Sequence, residues 1–211
     1  EQLIRAIRLV GVITVPSAVA FLLFGPLITQ SIFVGISNED SRYIGYVLSA
    51  LSFGLVAFSI NLILIRGFNA FEDTRTQVTS ILVINIVSVA MSYFFLSFVK
   101  TQWVTIGLGV AFSVSYLIGL LVTLGLLKKH VGKLALSEFL GQHVRLLTAS
   151  LLAMLPLFVV TEYISWLEID LSRAARAGEL LIVMVVAFIA YILSAKILKV
   201  EEISMIRHLG S

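Results

Sequence analysis

The sequence contains little charge. Only 13% of its 211 residues are Asp, Glu, Lys or Arg, whereas a soluble domain carries about 25%. Hydrophobic residues make up 59% of the chain, and the mean hydropathy is +1.06. A compact particle in water would lack the polar surface needed to cover this much apolar material. The composition therefore excludes a water-soluble globule and predicts an all-α integral membrane protein.

Cysteine is absent, and histidine occurs only three times. These absences exclude disulfides, thiolate metal sites and cysteine nucleophiles, and the scattered histidines form no metal-binding cluster. No serine–histidine–acid set, phosphate-binding glycine loop or pair of carboxylates stands in a suitable context. We therefore predict no catalytic residue, no metal, no cofactor and no nucleic-acid partner, so the chain is not expected to be an enzyme.

Charge is missing altogether from six long stretches, which we interpret as transmembrane helices because a charge at the bilayer centre costs roughly 2.5 kcal/mol or more. The first four are long enough to cross a hydrocarbon core of roughly 30 Å. The last two have 16 residues each and need interfacial neighbours such as Tyr163, Trp166 and Lys196 to lengthen them. The prediction is a six-transmembrane-helix bundle, with uncharged stretches at 9–38, 43–65, 76–99, 101–127, 146–161 and 180–195.

Basic residues are distributed unevenly across this topology. Of the 15 Lys and Arg residues, 11 fall on the side that holds both chain ends, whereas the 12 acidic residues divide six and six. Because cytoplasmic loops carry the excess of Lys and Arg, both ends are predicted to be cytoplasmic. The segments on that side are 1–8, 66–75, 128–145 and 196–211.

The lengths of the connections predict three parts. Residues 1–127 form four helices with short links, and 146–211 form two terminal helices and a short cytoplasmic tail. The connector 128–145 is longer and basic, and it is predicted to be an amphipathic helix in the cytoplasmic interface with Ser137 as its N-cap. A solvated linker is the alternative. The apolar residues that suggest the helix are Leu136, Phe139, Leu140 and Val144.

Proline is rare, yet two of the three prolines lie in the first predicted span. Pro16 lies inside it, and Gly25-Pro26 follows nine residues later. Each proline removes a backbone donor and clashes with the preceding turn, so the helix is expected to bend. We predict a hinge at Pro16, Gly25 and Pro26, the alternative being an ordinary kink that neighbouring helices accommodate.

No Asp, Glu, Lys, Arg or His lies inside a predicted span. The candidate polar groups at membrane depth are therefore amides and hydroxyls, above all Asn61 and Asn85. An interhelical hydrogen bond is the favoured interpretation of both asparagines. Contact with a substrate is the alternative.

The second predicted cytoplasmic loop, 66–77, has the densest set of polar residues. Asp73 is expected to cap the next helix, and Arg66 is placed to pair with Glu72 or Asp73. Local capping is the simpler interpretation. The functional one is that the loop gates or lines a cytoplasmic entrance for an anionic substrate, and its candidate residues are Arg66, Asp73, Thr74, Arg75 and Thr76.

Residues 66–77, R-G-F-N-A-F-E-D-T-R-T-Q, resemble the R-x-F-Y-A-x-x-D-T-x-T-P signature of the MurJ/MviN family of lipid II flippases. Residues 15–28, V-P-S-A-V-A-F-L-L-F-G-P-L-I, are similar to that family's kinked ninth helix. Asn69 replaces the usual tyrosine and Gln77 the usual proline, which suggests a divergent branch.

The resemblance implies part of the multidrug/oligosaccharidyl-lipid/polysaccharide exporter fold, namely helices nine to fourteen. The implied function is transport of lipid-linked peptidoglycan precursor across the bacterial inner membrane, in cell-wall biogenesis and the maintenance of cell shape. Implied partners are membrane lipid, lipid II or another undecaprenyl-linked substrate, and eight N-terminal helices missing from this chain. In the family the last two helices form a groove for the undecaprenyl tail.

Two alternatives remain at this point. One is an exporter of the same fold that moves a different polyprenyl-linked oligosaccharide or a drug. The other is a non-transporting membrane platform, in which 128–145 or the tail after Lys199 docks a cytoplasmic regulatory partner.

Overall fold

The computed structural model describes residues 2–33, 35–70, 72–131, 136–167, 173–198 and 200. These residues form six long helices, each long and apolar enough to cross a membrane. The all-helical, six-helix fold class is confirmed. The helices are α1 (Gln2–Ile32), α2 (Asn38–Ala70), α3 (Thr74–Phe98), α4 (Thr101–Val131), α5 (Leu136–Trp166) and α6 (Arg173–Ile197).

The last two helices are longer than their uncharged stretches. α5 has 31 residues and α6 has 25, and both continue through charged positions such as Glu162 and Glu179. These charges lie within about two turns of a helix end, where a side chain can reach the interface without ending the helix. An uncharged stretch therefore gives the apolar centre of a span and underestimates the helix that contains it.

The predicted connector 128–145 does not form a helix of its own. Its first residues, 128–131, end α4, and residues 136–145 begin α5 without a break, while 132–135 lie outside the described residues. Ser137 is inside α5, so its prediction as an N-cap is wrong. The interfacial location of this segment stays a prediction. The tail after Lys199 lies outside the described residues, apart from Val200.

By its packing, the chain divides into two compact units. Unit 1 contains 1–14 and 50–140, and unit 2 contains 15–49 and 141–211. The divisions at 14/15 and 49/50 fall within α1 and α2 rather than at a loop. The predicted boundaries at 127 and 145 therefore do not coincide with these units, and they stay a prediction about the connections.

Unit 1 is built around an apolar cluster contributed by α1, α2 and α4. The five buried members of this cluster are Ile7, Ile60, Leu64, Phe68 and Leu127. α3 packs against α4, but its described buried residues are only Thr76, Ser80 and Ile84. Most of the α3 surface is therefore open, and its apolar side chains suit lipid or further protein.

Unit 2 depends on a close approach of α1 and α2. Gly25 and Gly45 face each other, and a Cβ on Gly45 would collide with the backbone of Pro26. The buried hydroxyl of Thr29 donates to the carbonyl oxygen of Ser41 at 2.7 Å. The Phe24 ring of α1 also meets the Phe158 ring of α5 edge to face at 6.3 Å. Small residues and one hydroxyl thus hold the two helices together in apolar surroundings.

Candidate functional site

The loop between α2 and α3 ends one helix and starts the next. The Asp73 amide donates to the Phe68 carbonyl at 3.1 Å, and the Glu72 amide donates to the Asn69 carbonyl at 3.1 Å. Glu72 has a φ of 55°, in the left-handed region. This arrangement is a Schellman motif, which usually has glycine at the left-handed position.

Asp73 has a second role in the same turn. Its Oδ1 accepts a hydrogen bond from the Thr76 amide at 3.1 Å, so it is the N-cap of α3. The predicted capping is confirmed. A carboxylate at this position also interacts favourably with the positive end of the α3 dipole. The loop is thereby fixed from both sides by the backbone and side chain of one residue.

The remaining loop candidates divide into an exposed and a buried set. Arg66, Thr74 and Arg75 are exposed, whereas Thr76 is buried. Among the described residues, no ion pair between Arg66 and Glu72 is found, and a pairing of Arg66 with Asp73 stays a prediction. α2 continues beyond Arg66 to Ala70, which removes Arg66 from the turn itself. The exposed set presents two guanidinium groups and one hydroxyl at this end of the helices.

Asn61 joins two helices of unit 1. Its Nδ2 donates to the carbonyl oxygens of Ala57 at 2.9 Å and Tyr116 at 3.1 Å. Its Oδ1 accepts from the Thr123 hydroxyl at 3.1 Å. Asn61 is 1% exposed, so the predicted interhelical hydrogen bond is present. Contact of Asn61 with a substrate stays a prediction.

Asn85 differs from Asn61, and the interhelical bond predicted for it is not formed within the described part of the chain. Its Nδ2 donates to the Ile81 carbonyl of its own helix at 2.9 Å. Its side chain is exposed and lines an apolar groove of about 780 Å³ along α3. The open α3 face leaves Asn85 without a neighbouring helix to reach.

The predicted hinge residues all lie within α1. The helix runs without interruption through Pro16, Gly25 and Pro26. Gly25 is buried against α2, whereas Pro16 and Pro26 are half-buried. A hinge at these residues stays a prediction.

Unit 2 contains a polar cavity that the sequence did not indicate. Its volume is about 420 Å³, and it lies between the ends of α1, α2, α5 and α6. Its charged residues come from three different helices, α2, α5 and α6, so no local sequence motif predicts the cavity. The available signal was that they all flank spans at the same predicted end. They are Glu39, Arg42, Glu162, Arg176 and Glu179.

Comparisons with known proteins cover most of the chain. A family model described as "Lipid II flippase MurJ" matches residues 1–185. Among solved structures, "Lipid II flippase MurJ, inward closed conformation" matches with a TM-score of 0.74 and 18% sequence identity. That match covers 95% of this chain and 39% of the solved chain. The comparison with curated proteins found no match.

Proposed function

Because the chain belongs to the MurJ lipid II flippase family, we propose that it works as the C-terminal part of a flippase for lipid-linked peptidoglycan precursor. The family match over residues 1–185 carries this proposal. The chain spans 39% of the solved flippase that it resembles. In this proposal, eight preceding helices complete the transporter, and two lobes alternate access to a central cavity.

The outer surface of α6 supports a role in holding the substrate's tail. Its large apolar side chains are strongly exposed and face away from the packed parts of unit 2. An undecaprenyl chain is a long hydrocarbon, and such a surface accepts it at no desolvation cost. The most exposed of these residues are Ile197, Leu181, Ile182, Phe188 and Val185.

The α2–α3 loop supports a role at the entrance. The exposed guanidinium groups of Arg66 and Arg75 can attract a pyrophosphate headgroup, because arginine pairs well with phosphate oxygens. The Schellman motif and the Asp73 cap hold the loop's backbone in place. The loop is on the side that the basic residues predict to be cytoplasmic.

Complementation tests this function directly. A bacterium whose own lipid II flippase can be depleted would receive either the 211-residue chain or the same chain preceded by the helices encoded upstream. We expect growth and lipid II translocation only with the longer protein. Growth with the short chain alone would contradict the partial role. Failure of the longer protein to move lipid II, with transport of another polyprenyl-linked oligosaccharide, would contradict the substrate.

A further inference from the structure

The polar cavity of unit 2 lies at the ends of four helices that are long and apolar enough to cross a membrane. It is formed by the last turns of α1 and α5 and the first turns of α2 and α6. These ends are opposite the ends at which α1 begins and α6 finishes. They are therefore at a membrane–water interface, on the side that the basic residues predict to be external. The volume of about 420 Å³ is within the range of ligand pockets, about 300 to 1,000 Å³.

The cavity carries charges of both signs. Arg42 and Arg176 supply two guanidinium groups, and the carboxylates belong to Glu39, Glu162 and Glu179. A ligand that pairs with both the arginines and the glutamates must carry a negative and a positive charge. A ligand with only one of these charges would repel one of the two sets of side chains. Guanidinium groups bind phosphate oxygens, and carboxylates accept hydrogen bonds from an ammonium group.

Arg42 is held in place on α2. Its Nε donates to the Tyr46 hydroxyl at 2.9 Å, and its guanidinium lies 5.9 Å from the centroid of the Tyr46 ring. The hydrogen bond uses the Nε–H of Arg42, and the cation–π contact uses one face of its guanidinium group. The other donors of Arg42 can serve a ligand.

Polar contacts bring the helices that form the walls of the cavity close together. The Ser31 hydroxyl donates to the Leu27 carbonyl oxygen of its own helix at 2.7 Å and also lies 3.3 Å from the Arg176 carbonyl oxygen, so α1 and α6 are close there. The Gln30 side chain donates to the Asn38 carbonyl oxygen at 3.3 Å, which ties α1 to α2. Contacts between the walls reduce the ordering that ligand binding has to impose.

One wall of the cavity is apolar. Leu23, Phe24 and Leu27 of α1 line it beside the charged groups. The ligand is therefore amphipathic as well as zwitterionic. We propose that this cavity binds the phosphoethanolamine headgroup of a bilayer lipid, with its phosphate at Arg42 and Arg176 and its ammonium at the glutamates. The proposal does not depend on which molecule the complete protein transports.

Two other common headgroups fit less well. Phosphatidylglycerol offers a phosphate but no cation, so the three carboxylates remain opposed to its charge. Phosphatidylcholine offers a quaternary ammonium, which has no N–H group to donate to a carboxylate. Preference among these three lipids is therefore the property to measure.

The experiment is lipid titration of the purified chain, followed by native mass spectrometry. The three lipids carry the same acyl chains. We expect phosphatidylethanolamine to bind at roughly tenfold lower concentration than the other two, because each lacks a charge-assisted interaction. Equal binding of the three lipids would overturn the proposal.

Matched variants assign the binding to this cavity. The double variant Arg42→Gln with Arg176→Gln is expected to weaken phosphatidylethanolamine binding roughly tenfold. The control is Arg5→Gln with Arg145→Gln, which changes two exposed arginines outside the cavity. We expect this control to leave the binding unchanged. Equal effects of the two pairs would overturn the proposal.

The carboxylates are tested by selectivity. Glu162→Gln is the mildest change, because Glu162 is exposed, and it is expected to reduce the preference for phosphatidylethanolamine over phosphatidylglycerol. Glu72→Gln is the control. An unchanged preference in Glu162→Gln with Glu179→Gln would contradict the assignment of the ammonium. Displacement of phosphatidylethanolamine by an equal concentration of short-chain lipid II would assign the cavity to that substrate and overturn the proposal.

Discussion

The hydroxyl of Thr123 lies 3.1 Å from Oδ1 of Asn61, and this hydrogen bond joins α4 to α2. Both side chains are buried, at 0% and 1% exposure. Because the bilayer core offers no water to polar groups, each of these atoms needs a partner within the protein. The pair therefore fixes how α2 and α4 align along their lengths.

Replacing Asn61 should loosen this alignment. Asn61→Leu removes the bonds to Thr123, Ala57 and Tyr116, and we expect unfolding free energy to fall by about 0.6 to 1.7 kcal/mol. Unfolding of the detergent-solubilised chain measures the change. Asn85→Leu is the control, because Asn85 is exposed and bonds only to its own helix. Equal losses in the two variants would contradict an interhelical role for Asn61.

A methyl group on Gly45 should separate α1 from α2. Gly45→Ala places a Cβ against the backbone of Pro26, which cannot rotate away as a side chain could. We expect a loss of about 1 to 3 kcal/mol, as for other overpacked sites. Gly125→Ala has open space around its Cβ and lies within α4, so it should be neutral or slightly stabilising. Thermal unfolding compares the two, and matching midpoints would argue against a tight contact.

Removal of the α3 cap should be partly rescued by asparagine. Asp73→Ala loses the acceptor for the Thr76 amide and is expected to cost about 1 kcal/mol. Asp73→Asn keeps an oxygen there and should restore most of that loss. The measurement is unfolding free energy, and similar values for the two variants would mean that the cap contributes little.

Charge reversal should impair transport more at the α2–α3 loop than at the start of α6. Arg66→Glu and Asp73→Lys change the charge at the proposed entrance, where an anionic headgroup is expected to arrive. Arg173→Glu changes a residue at the predicted external end. Complementation by the longer protein, with its membrane abundance measured, provides the test. Full activity of all three variants would remove the reason for assigning the loop a role.

The overall fold could be predicted from the sequence because charge is so costly in lipid. The six uncharged stretches correctly predicted six helices, but they did not predict where α5 and α6 begin and end. Glu162 and Glu179 lie inside helices because side chains near an interface can reach water. The Asp73 cap could also be predicted, since capping depends on neighbouring residues alone. The left-handed conformation of Glu72 could not, because that position usually requires glycine.

Other features depend on contacts between distant residues. Asn61 and Asn85 look alike in the sequence, but only Asn61 faces another helix. The polar cavity combines charges from α2, α5 and α6, so it exists only after the helices have packed. Hydropathy indicates which segments cross the membrane, but it does not indicate which helices pack against each other.

The contact of Gly25 with Gly45 restricts where α1 can change shape. Around these two residues the backbones of α1 and α2 come close, with the Ser49 hydroxyl beside Gly25, and the Thr29 hydroxyl joins the two helices further. We expect this stretch to move together with α2. We predict that any bending of α1 occurs in the turns before Gly25, where Pro16 removes a backbone donor. The second proline, Pro26, lies against Gly45 in the packed stretch, so it is not expected to be a point of bending.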